Sequence, residues 1–90
     1  MEKIILITGI SSGIGSAFVK FCVEKMPNWT VVGFGRNNVD FDTGSLKYFY
    51  IKTDLLNSLE IKESLETIIN KFGRVDVYIN NAGVGYLGTV

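Results

Sequence analysis

An apolar run near the amino terminus gives way abruptly to glycines, and this change constrains the fold more than any other feature of the chain. Residues 3–8 read KIILIT, and Gly9, Gly13 and Gly15 follow within seven residues. A continuous run of aliphatic and β-branched residues is typical of a strand buried on both faces of a parallel sheet. Glycines permit a sharp turn and a close approach by another group. The stretch therefore predicts a strand, a tight turn and a helix that begins near Ile14.

Composition places the chain among soluble globular proteins. The 90 residues are 47% hydrophobic and 20% charged, with no formal net charge, so one domain or part of one is expected. A neutral balance without a basic run gives no electrostatic footprint for nucleic acid. The apolar run at 4–7 is too short for a signal peptide or a membrane span, so we expect no membrane partner and a cytoplasmic location. A lone Cys22 and the lack of histidine predict no disulfide and no metal site.

Strands and helices alternate along the rest of the chain. Three further strands are predicted from short apolar runs, at residues 30–35, 48–53 and 75–79. A second helix is predicted before the last strand, with Asn57 and Glu60 as a capping box and Gly73 at its end. The polar stretch 37–47 is expected to be a loop with at most one helical turn. Alternation of this kind is typical of a parallel sheet with helices on its faces.

The spacing of apolar residues predicts which face of each helix is buried. In the first helix the apolar positions are Ile14, Ala17, Phe18, Phe21, Cys22 and Met26. In the second helix they are Leu59, Leu65, Ile68, Ile69 and Phe72. Positions three and four residues apart lie on one side of an α-helix. Both stripes are therefore expected to pack on the sheet.

The glycine turn also has a chemical use. The amino terminus of a helix presents unpaired backbone N–H groups and a partial positive charge, which suit a phosphate. The spacing of Gly9, Gly13 and Gly15 is neither the common G-x-G-x-x-G pattern nor a P-loop, since no Gly-Lys-Ser/Thr follows. Three glycines could instead serve tight packing alone. The turn by itself does not decide between these two roles.

Two motifs together resemble those of the short-chain dehydrogenase/reductase family. Residues 8–15, TGISSGIG, match the family's T-G-x-x-x-G-[IL]-G signature, and residues 80–83 match its N-N-A-G element at the end of the fourth strand. Asp54 and Leu55, after the third strand, extend the resemblance over essentially the whole chain. The resemblance implies an α/β fold, a Rossmann-type doubly wound parallel sheet truncated to its first four strands in the order 3-2-1-4. Residues 1–90 would then be the N-terminal part of one NADP(H)-binding Rossmann-like domain.

The resemblance also implies which residues hold a nicotinamide dinucleotide. The expected cofactor-binding residues are Gly9, Ser11, Ser12, Gly13, Ile14, Gly15, Arg36, Asn37, Asp54, Leu55, Asn81, Ala82 and Gly83. The glycine turn would hold the pyrophosphate and the adenosine ribose, and the turn at Asn81 would border both riboses. Asp54 would accept from the adenine amino group, and Thr8 would tie the first turn to the fourth strand. Without the resemblance, Asp54 is an ordinary turn acid, and Asn80 and Asn81 are a strand-end turn pair.

The end of the second strand predicts which dinucleotide is preferred. An NAD site usually places an acid there to accept from the ribose 2′-hydroxyl, whereas this chain has Gly35 and Arg36. A guanidinium binds a 2′-phosphate in a fork, and a carboxylate would repel it. NADP(H) is therefore the preferred cofactor, with NAD(H) as the alternative. The alternative is that Arg36 is only a solvated surface arginine.

The catalytic residues of the family are not expected within this chain. The family reaction uses a serine and a helical Tyr-x-x-x-Lys as acid and base. Tyr48 and Lys52 have this spacing but lie in a predicted strand, where residues four apart are separated by ~13 Å. We therefore predict no catalytic residue and an inactive chain. The parent enzyme would transfer a hydride between NADP(H) and a small carbonyl or alcohol substrate.

A second function is also compatible with the sequence. The chain could be a stand-alone dinucleotide-binding or interaction module without turnover. Its fourth strand would then form an open edge of the sheet, which is available for pairing with another chain. A homo-oligomer formed through this edge is an option in either case.

Overall fold

The described part of the chain is a parallel sheet with a helix on each face. The computed structural model describes residues 3–10, 13–39, 42–44 and 47–81. The elements in chain order are β1 (Lys3–Thr8), α1 (Gly13–Lys25), β2 (Trp29–Gly35), β3 (Lys47–Lys52), α2 (Ser58–Phe72) and β4 (Val77–Ile79). The predicted alternation is confirmed, with boundaries shifted by one or two residues at β2, β3 and β4.

All four strands run parallel, in the order β3-β2-β1-β4. β1 pairs with β2 along its whole length and with β4 only from Ile5 to Ile7. The strand order reverses at β1, because the chain passes from β1 outward to β3 and then returns to the other side. A crevice at the carboxyl ends of the strands is a general feature of this reversal. The predicted Rossmann-type order is confirmed.

Alternate residues of β1 contribute to two separate cores. Ile5 and Ile7 pack with residues of α1, including Cys22, whereas Ile4 and Leu6 pack with residues of α2. These four aliphatic side chains are each at most 3% exposed. Successive side chains of a strand point to opposite faces of the sheet. A continuous apolar run is therefore what a strand between two helical layers requires.

The buried face of α1 is not the one that the apolar stripe predicts. The buried residues of the helix are Gly15, Val19 and Cys22, and only Cys22 belongs to the predicted stripe. Ile14 is 65% exposed and Phe21 is 52% exposed in the described chain. The physical reason is the close approach of the helix to the sheet at Gly15, which turns that side of the helix inward. Val23 and Met26, of which Met26 belongs to the predicted stripe, also pack against the core on the α1 face of the sheet. Apolar residues therefore occur on both faces of the helix, and hydrophobic spacing alone does not separate them.

α2 begins and ends where its capping residues predict. Asn57 Oδ1 accepts hydrogen bonds from the backbone N–H groups of Leu59 and Glu60, and Gly73 ends the helix with a left-handed φ of 80°. Glu60 Oε1 accepts from the backbone N–H of Asp54 at 2.9 Å, where a capping box would have it bond the N-cap N–H. Glu60 therefore ties the start of α2 to the turn after β3.

α2 contacts the sheet through a narrow face. Ile68 is fully buried as predicted, but Leu59 and Ile69 are 61% and 50% exposed, so the predicted stripe is only partly right. Ser64 takes the place of a larger apolar residue at the contact, with its Oγ 2.8 Å from Thr53 Oγ1, and both residues are buried. Two buried hydroxyls that bond each other avoid the cost of an unsatisfied polar group. This pair fixes α2 against the end of β3.

The connection from β2 to β3 was predicted to be a loop. Residues 36–39 and 42–44, which are the described parts of this connection, contain no helix, in agreement with the predicted loop.

Neither α1 nor α2, the helices of the described ranges, has the length and apolar character of a membrane span. Within those ranges, no group of three or more potential metal-ligating side chains comes together.

A carboxylate holds β4 to β1 at the amino-terminal end of the sheet. Asp76 Oδ2 accepts from the backbone N–H of Ile4 at 2.8 Å, and the N–H of Asp76 donates to the carbonyl oxygen of Ile4 at 2.9 Å. The Arg74 guanidinium donates to Asp76 Oδ1. The hydrogen bonds from Arg74 first and from the Ile4 N–H second lower the pKa of Asp76. The folded chain therefore stabilises the ionised form of the Asp76 carboxyl group.

We expect the stability of the fold to depend on the ionisation of Asp76. A carboxyl group with a lowered pKa in the folded chain stabilises the fold above its unfolded pKa, at about pH 4, and loses this contribution as the pH falls through the folded value. Asp76→Asn should therefore lower the urea midpoint at neutral pH and flatten the decline of stability in acid. Glu66→Gln, at an exposed position of α2, is the matched control. Identical pH profiles for wild type and Asp76→Asn would contradict this role.

Candidate functional site

One threonine hydroxyl joins the carboxyl ends of β1 and β4. Thr8, the last residue of β1, donates from Oγ1 to Asn80 Oδ1 at 3.0 Å. The same oxygen accepts from the backbone N–H of Asn81 at 3.0 Å. Thr8 is 4% exposed, so the threonine side of both bonds is shielded from bulk water. The expected tie between the first turn and the fourth strand is confirmed.

Asn81 extends this tie to the glycine turn. Its Nδ2 donates to the carbonyl oxygen of Gly9 at 3.2 Å. Gly9 itself has a φ of 68°, in the left-handed region that favours glycine. Two segments that lie 72 residues apart along the chain are therefore held together at one edge of the sheet.

Gly15 allows α1 to approach this turn closely. A Cβ at position 15 would lie 2.1 Å from the carbonyl oxygen of Gly9 and 2.8 Å from Asn81 Nδ2. The first of these contacts is to backbone, which cannot rotate out of the way as a side chain can. Packing alone therefore requires a glycine at position 15. This is the structural role that the sequence left open for the glycine motif.

Gly13, the first residue of α1, has open space beside it. A Cβ there would meet no described atom within 4 Å, and both Gly13 and Ile14 are exposed. The N–H groups in the first turn of a helix have no acceptor within the helix and carry partial positive charge. Among the described residues, no side chain occupies the space beside Gly13, at an end of α1 whose N–H groups suit a phosphate. Four other expected contacts lie outside the described residues: Ser11, Ser12, Ala82 and Gly83.

Arg36 and Asn37 follow directly after β2 at the same edge of the sheet. β2 lies beside β1, with Phe34 paired to Thr8. Arg36 and Asn37 therefore stand one strand away from the glycine turn, and both are exposed. A cation thus occupies the edge where the resemblance expects the adenosine ribose.

Asp54 shapes the turn from β3 into α2. Its Oδ1 accepts from the N–H of Leu56 at 3.0 Å, and its carbonyl oxygen accepts from the N–H of Asn57 at 2.9 Å. Leu55 packs against the core on the α2 face of the sheet. These are the contacts of the turn acid that the sequence allowed as an alternative. Adenine contacts by Asp54 and Leu55 stay a prediction.

Tyr48 and Lys52 lie on a strand, as predicted. Both belong to β3 and pair with Val31 and Gly35 of β2. Residues four apart on a strand do not have the side-by-side geometry of a helical i, i+4 pair. The Tyr48 hydroxyl donates to Asn38 Oδ1 at 2.8 Å, and burial raises the pKa of Tyr48. The hydroxyl is therefore protonated at neutral pH and serves as a hydrogen-bond donor to the chain itself.

Sequence reasoning assigned no individual role to Asn80 or to the tyrosine hydroxyls of β3. Asn80 provides the acceptor for the Thr8 hydroxyl. Its position directly after a strand predicted to lie beside β1 could have indicated this contact. Tyr48 donates to Asn38 in the segment that follows β2, and Tyr50 donates to Gly35, the last residue of β2. Their spacing of two residues already placed them on one face of β3, but their acceptors depend on the register of the sheet.

Comparison with known proteins identifies the family to which this arrangement belongs. Residues 3–90 match the family model described as short chain dehydrogenase. An uncharacterized oxidoreductase of Staphylococcus saprophyticus is 38% identical over 92% of this chain and 35% of its own length. The 3-ketodihydrosphingosine reductase of Bacteroides thetaiotaomicron is 36% identical over 98% of this chain and 31% of its own length.

Solved structures agree with this assignment. A short chain dehydrogenase of Leptospira borgpetersenii with bound NAD+ is 30% identical and superposes with a TM-score of 0.76, covering 89% of this chain and 31% of that one. The chain thus spans about a third of the length of the relatives it matches. That third contains the glycine turn and the Asn80-Asn81 turn that Thr8 joins. The chain belongs to the short-chain dehydrogenase family and corresponds to its N-terminal, nucleotide-binding part.

Proposed function

We propose that these residues form the cofactor-binding part of an NADP(H)-dependent short-chain dehydrogenase. The observation that carries the proposal is the link from Thr8 to Asn80 and Asn81. It joins the glycine turn after β1 to the end of β4, and these strands flank the crevice in which such folds bind dinucleotides. The parent enzyme would interconvert a small carbonyl and the corresponding alcohol. The nicotinamide, when bound, supplies or accepts the hydride.

The pyrophosphate would bind at the amino terminus of α1. The N–H groups of Gly13 and Ile14 are donors in the first turn of this helix, and the helix dipole favours negative charge there. The bare Gly13 leaves room for the phosphate oxygens. Gly15 contributes indirectly. Because it has no side chain, α1 can pack against the Gly9 carbonyl, and this packing sets the position of the first turn of the helix.

Arg36 would bind the 2′-phosphate and so select NADP(H). Hydrogen bonds to charged groups are worth ~1.5–3 kcal/mol, and a guanidinium can form two of them with one phosphate. The residues at the end of β2, from Gly35 to Asn38, include no carboxylate that would repel this phosphate. At ~1.4 kcal/mol per decade, Arg36 would provide a ten- to hundredfold preference for NADPH over NADH.

The residues in these roles bind and orient a dinucleotide, and none of them moves a proton. Tyr48 and Lys52 have the Tyr-x-x-x-Lys spacing, but Tyr48 lies on a strand and its hydroxyl donates to Asn38. We therefore propose that residues 1–90 bind the cofactor without turnover. Carbonyl reduction would need the serine, tyrosine and lysine that the family resemblance expects elsewhere in the parent enzyme.

A titration with both cofactors tests the role of Arg36. NADPH fluorescence should show saturable binding to the wild-type chain. Arg36→Ala should weaken NADPH binding about ten- to hundredfold and leave NADH binding within about twofold, because only the 2′-phosphate contact is lost. Lys62→Ala, at an exposed position of α2, is the control. A folded wild type that binds neither cofactor would overturn the cofactor proposal, and equal weakening of both would overturn the role of Arg36.

Two alanine substitutions separate packing from ligand space in the glycine turn. Gly15→Ala forces a methyl group against the Gly9 carbonyl oxygen and should destabilise the fold by ~1–3 kcal/mol, measured by urea unfolding. Gly13→Ala meets no described atom and should keep the wild-type urea midpoint or raise it. It should nevertheless weaken NADPH binding roughly tenfold, because the methyl group enters the proposed phosphate space. Wild-type affinity in Gly13→Ala would contradict the proposed position of the pyrophosphate.

A further inference from the structure

Two tyrosine hydroxyls donate hydrogen bonds to the residues that flank the segment of Arg36, one to a backbone oxygen and one to a side-chain oxygen. The Tyr50 hydroxyl donates to the carbonyl oxygen of Gly35 at 2.9 Å. The Tyr48 hydroxyl donates to Asn38 Oδ1 at 2.8 Å. Arg36 and the residue after it form the short segment between these two anchor points.

Each anchor point is reinforced by a backbone N–H. The carbonyl oxygen of Gly35 also accepts from the N–H of Thr53 at 2.9 Å, and Asn38 Oδ1 also accepts from the N–H of Val39 at 2.8 Å. A carbonyl oxygen has two lone pairs, so both acceptors are fully engaged. Val39 in turn packs against the core on the α1 face, which ties the far end of the segment to the rigid sheet.

The chain makes specific room for Tyr48 to reach its acceptor. Tyr48 pairs with Val31 in the register of the sheet, two residues before Gly33. A Cβ at position 33 would lie 2.9 Å from the Tyr48 hydroxyl oxygen and 2.8 Å from Ile10 Cδ1. The Tyr48 ring therefore extends over the bare Gly33 toward the carboxyl end of β2. Tyr50, two residues further along β3, lies on the same face.

Both hydroxyls are hydrogen-bond donors at neutral pH. Burial raises the pKa of Tyr48, with the neighbouring Tyr50 as a second cause, and burial also raises the pKa of Tyr50. The acceptors are the backbone carbonyl oxygen of Gly35 and the side-chain amide oxygen of Asn38, neither of which can donate in return. The direction of both hydrogen bonds is thus fixed.

We propose that Tyr48 and Tyr50 are positioning residues that set the preference of this chain for a 2′-phosphorylated adenosine. The inference rests on the proposed NADP(H) function and deepens it. Neither tyrosine contacts the ligand in this account. They hold the Arg36 backbone in place before the ligand arrives, so that less conformational freedom is lost when the guanidinium meets the phosphate. A ligand without the 2′-phosphate does not use this arrangement.

The test compares adenosine 2′,5′-bisphosphate with adenosine 5′-monophosphate, which differ only in the 2′-phosphate. Calorimetry on the full 90-residue chain gives the ratio of their dissociation constants. Tyr48→Phe and Tyr50→Phe should each lower this ratio about threefold to tenfold and leave the affinity for the monophosphate unchanged. Tyr78→Phe, in an exposed tyrosine of β4, is the matched control. A merely structural role would lower the thermal midpoint without changing the ratio, and that result overturns the inference.

A second variant removes the acceptor of the Tyr48 hydrogen bond, which lies on the exposed residue Asn38. Asn38→Ala removes the acceptor of Tyr48 and should reproduce the ratio of Tyr48→Phe, with no further loss in the double variant. If Arg36→Ala abolishes the preference and both tyrosine variants keep the wild-type ratio, the tyrosine inference fails and the proposed function stands. If the wild type binds both probes equally, the NADP(H) preference fails together with this inference.

Discussion

The Thr8 hydroxyl uses both its donor and its acceptor capacity to hold the functional edge of the sheet together. β4 has only three residues paired with β1, which is a short ladder for a strand that must place the Asn80-Asn81 turn. Side-chain bonds extend this ladder at both ends, from Asp76 to Ile4 at one end and from Thr8 at the other. These bonds supplement the backbone pairing that sets the carboxyl ends of β1 and β4 side by side.

The glycines of the first turn divide two tasks that their sequence motif does not distinguish. Gly15 removes the Cβ that would strike the Gly9 carbonyl, and so sets the distance and the rotation of α1. Gly13 has nothing to strike and leaves the helix terminus open. Gly15 therefore serves packing, and under the proposed function Gly13 leaves the helix terminus accessible to the phosphate.

Local signals predicted the parts of the fold that depend on local chemistry. The apolar run of β1, the cap at Asn57 and the left-handed Gly73 were all recognisable. The inward face of α1 was not, because apolar residues occur on both faces of the helix and the close contact at Gly15 is made by the absence of a side chain. The acceptors of the β3 tyrosines also escaped prediction, since they depend on strand register and on space above Gly33. Tertiary packing decides such features, and propensity does not encode it.

The central claim is that three segments distant in sequence form one dinucleotide site. A titration of the isotope-labelled chain with NADPH, followed through backbone amide NMR shifts, tests it most directly. Saturable shifts are expected at Gly13, Arg36 and Asn81 with a single dissociation constant, because one ligand would span the ends of β1, β2 and β4. Shifts confined to one of these segments, different dissociation constants among them, or no shifts in a folded chain would contradict it.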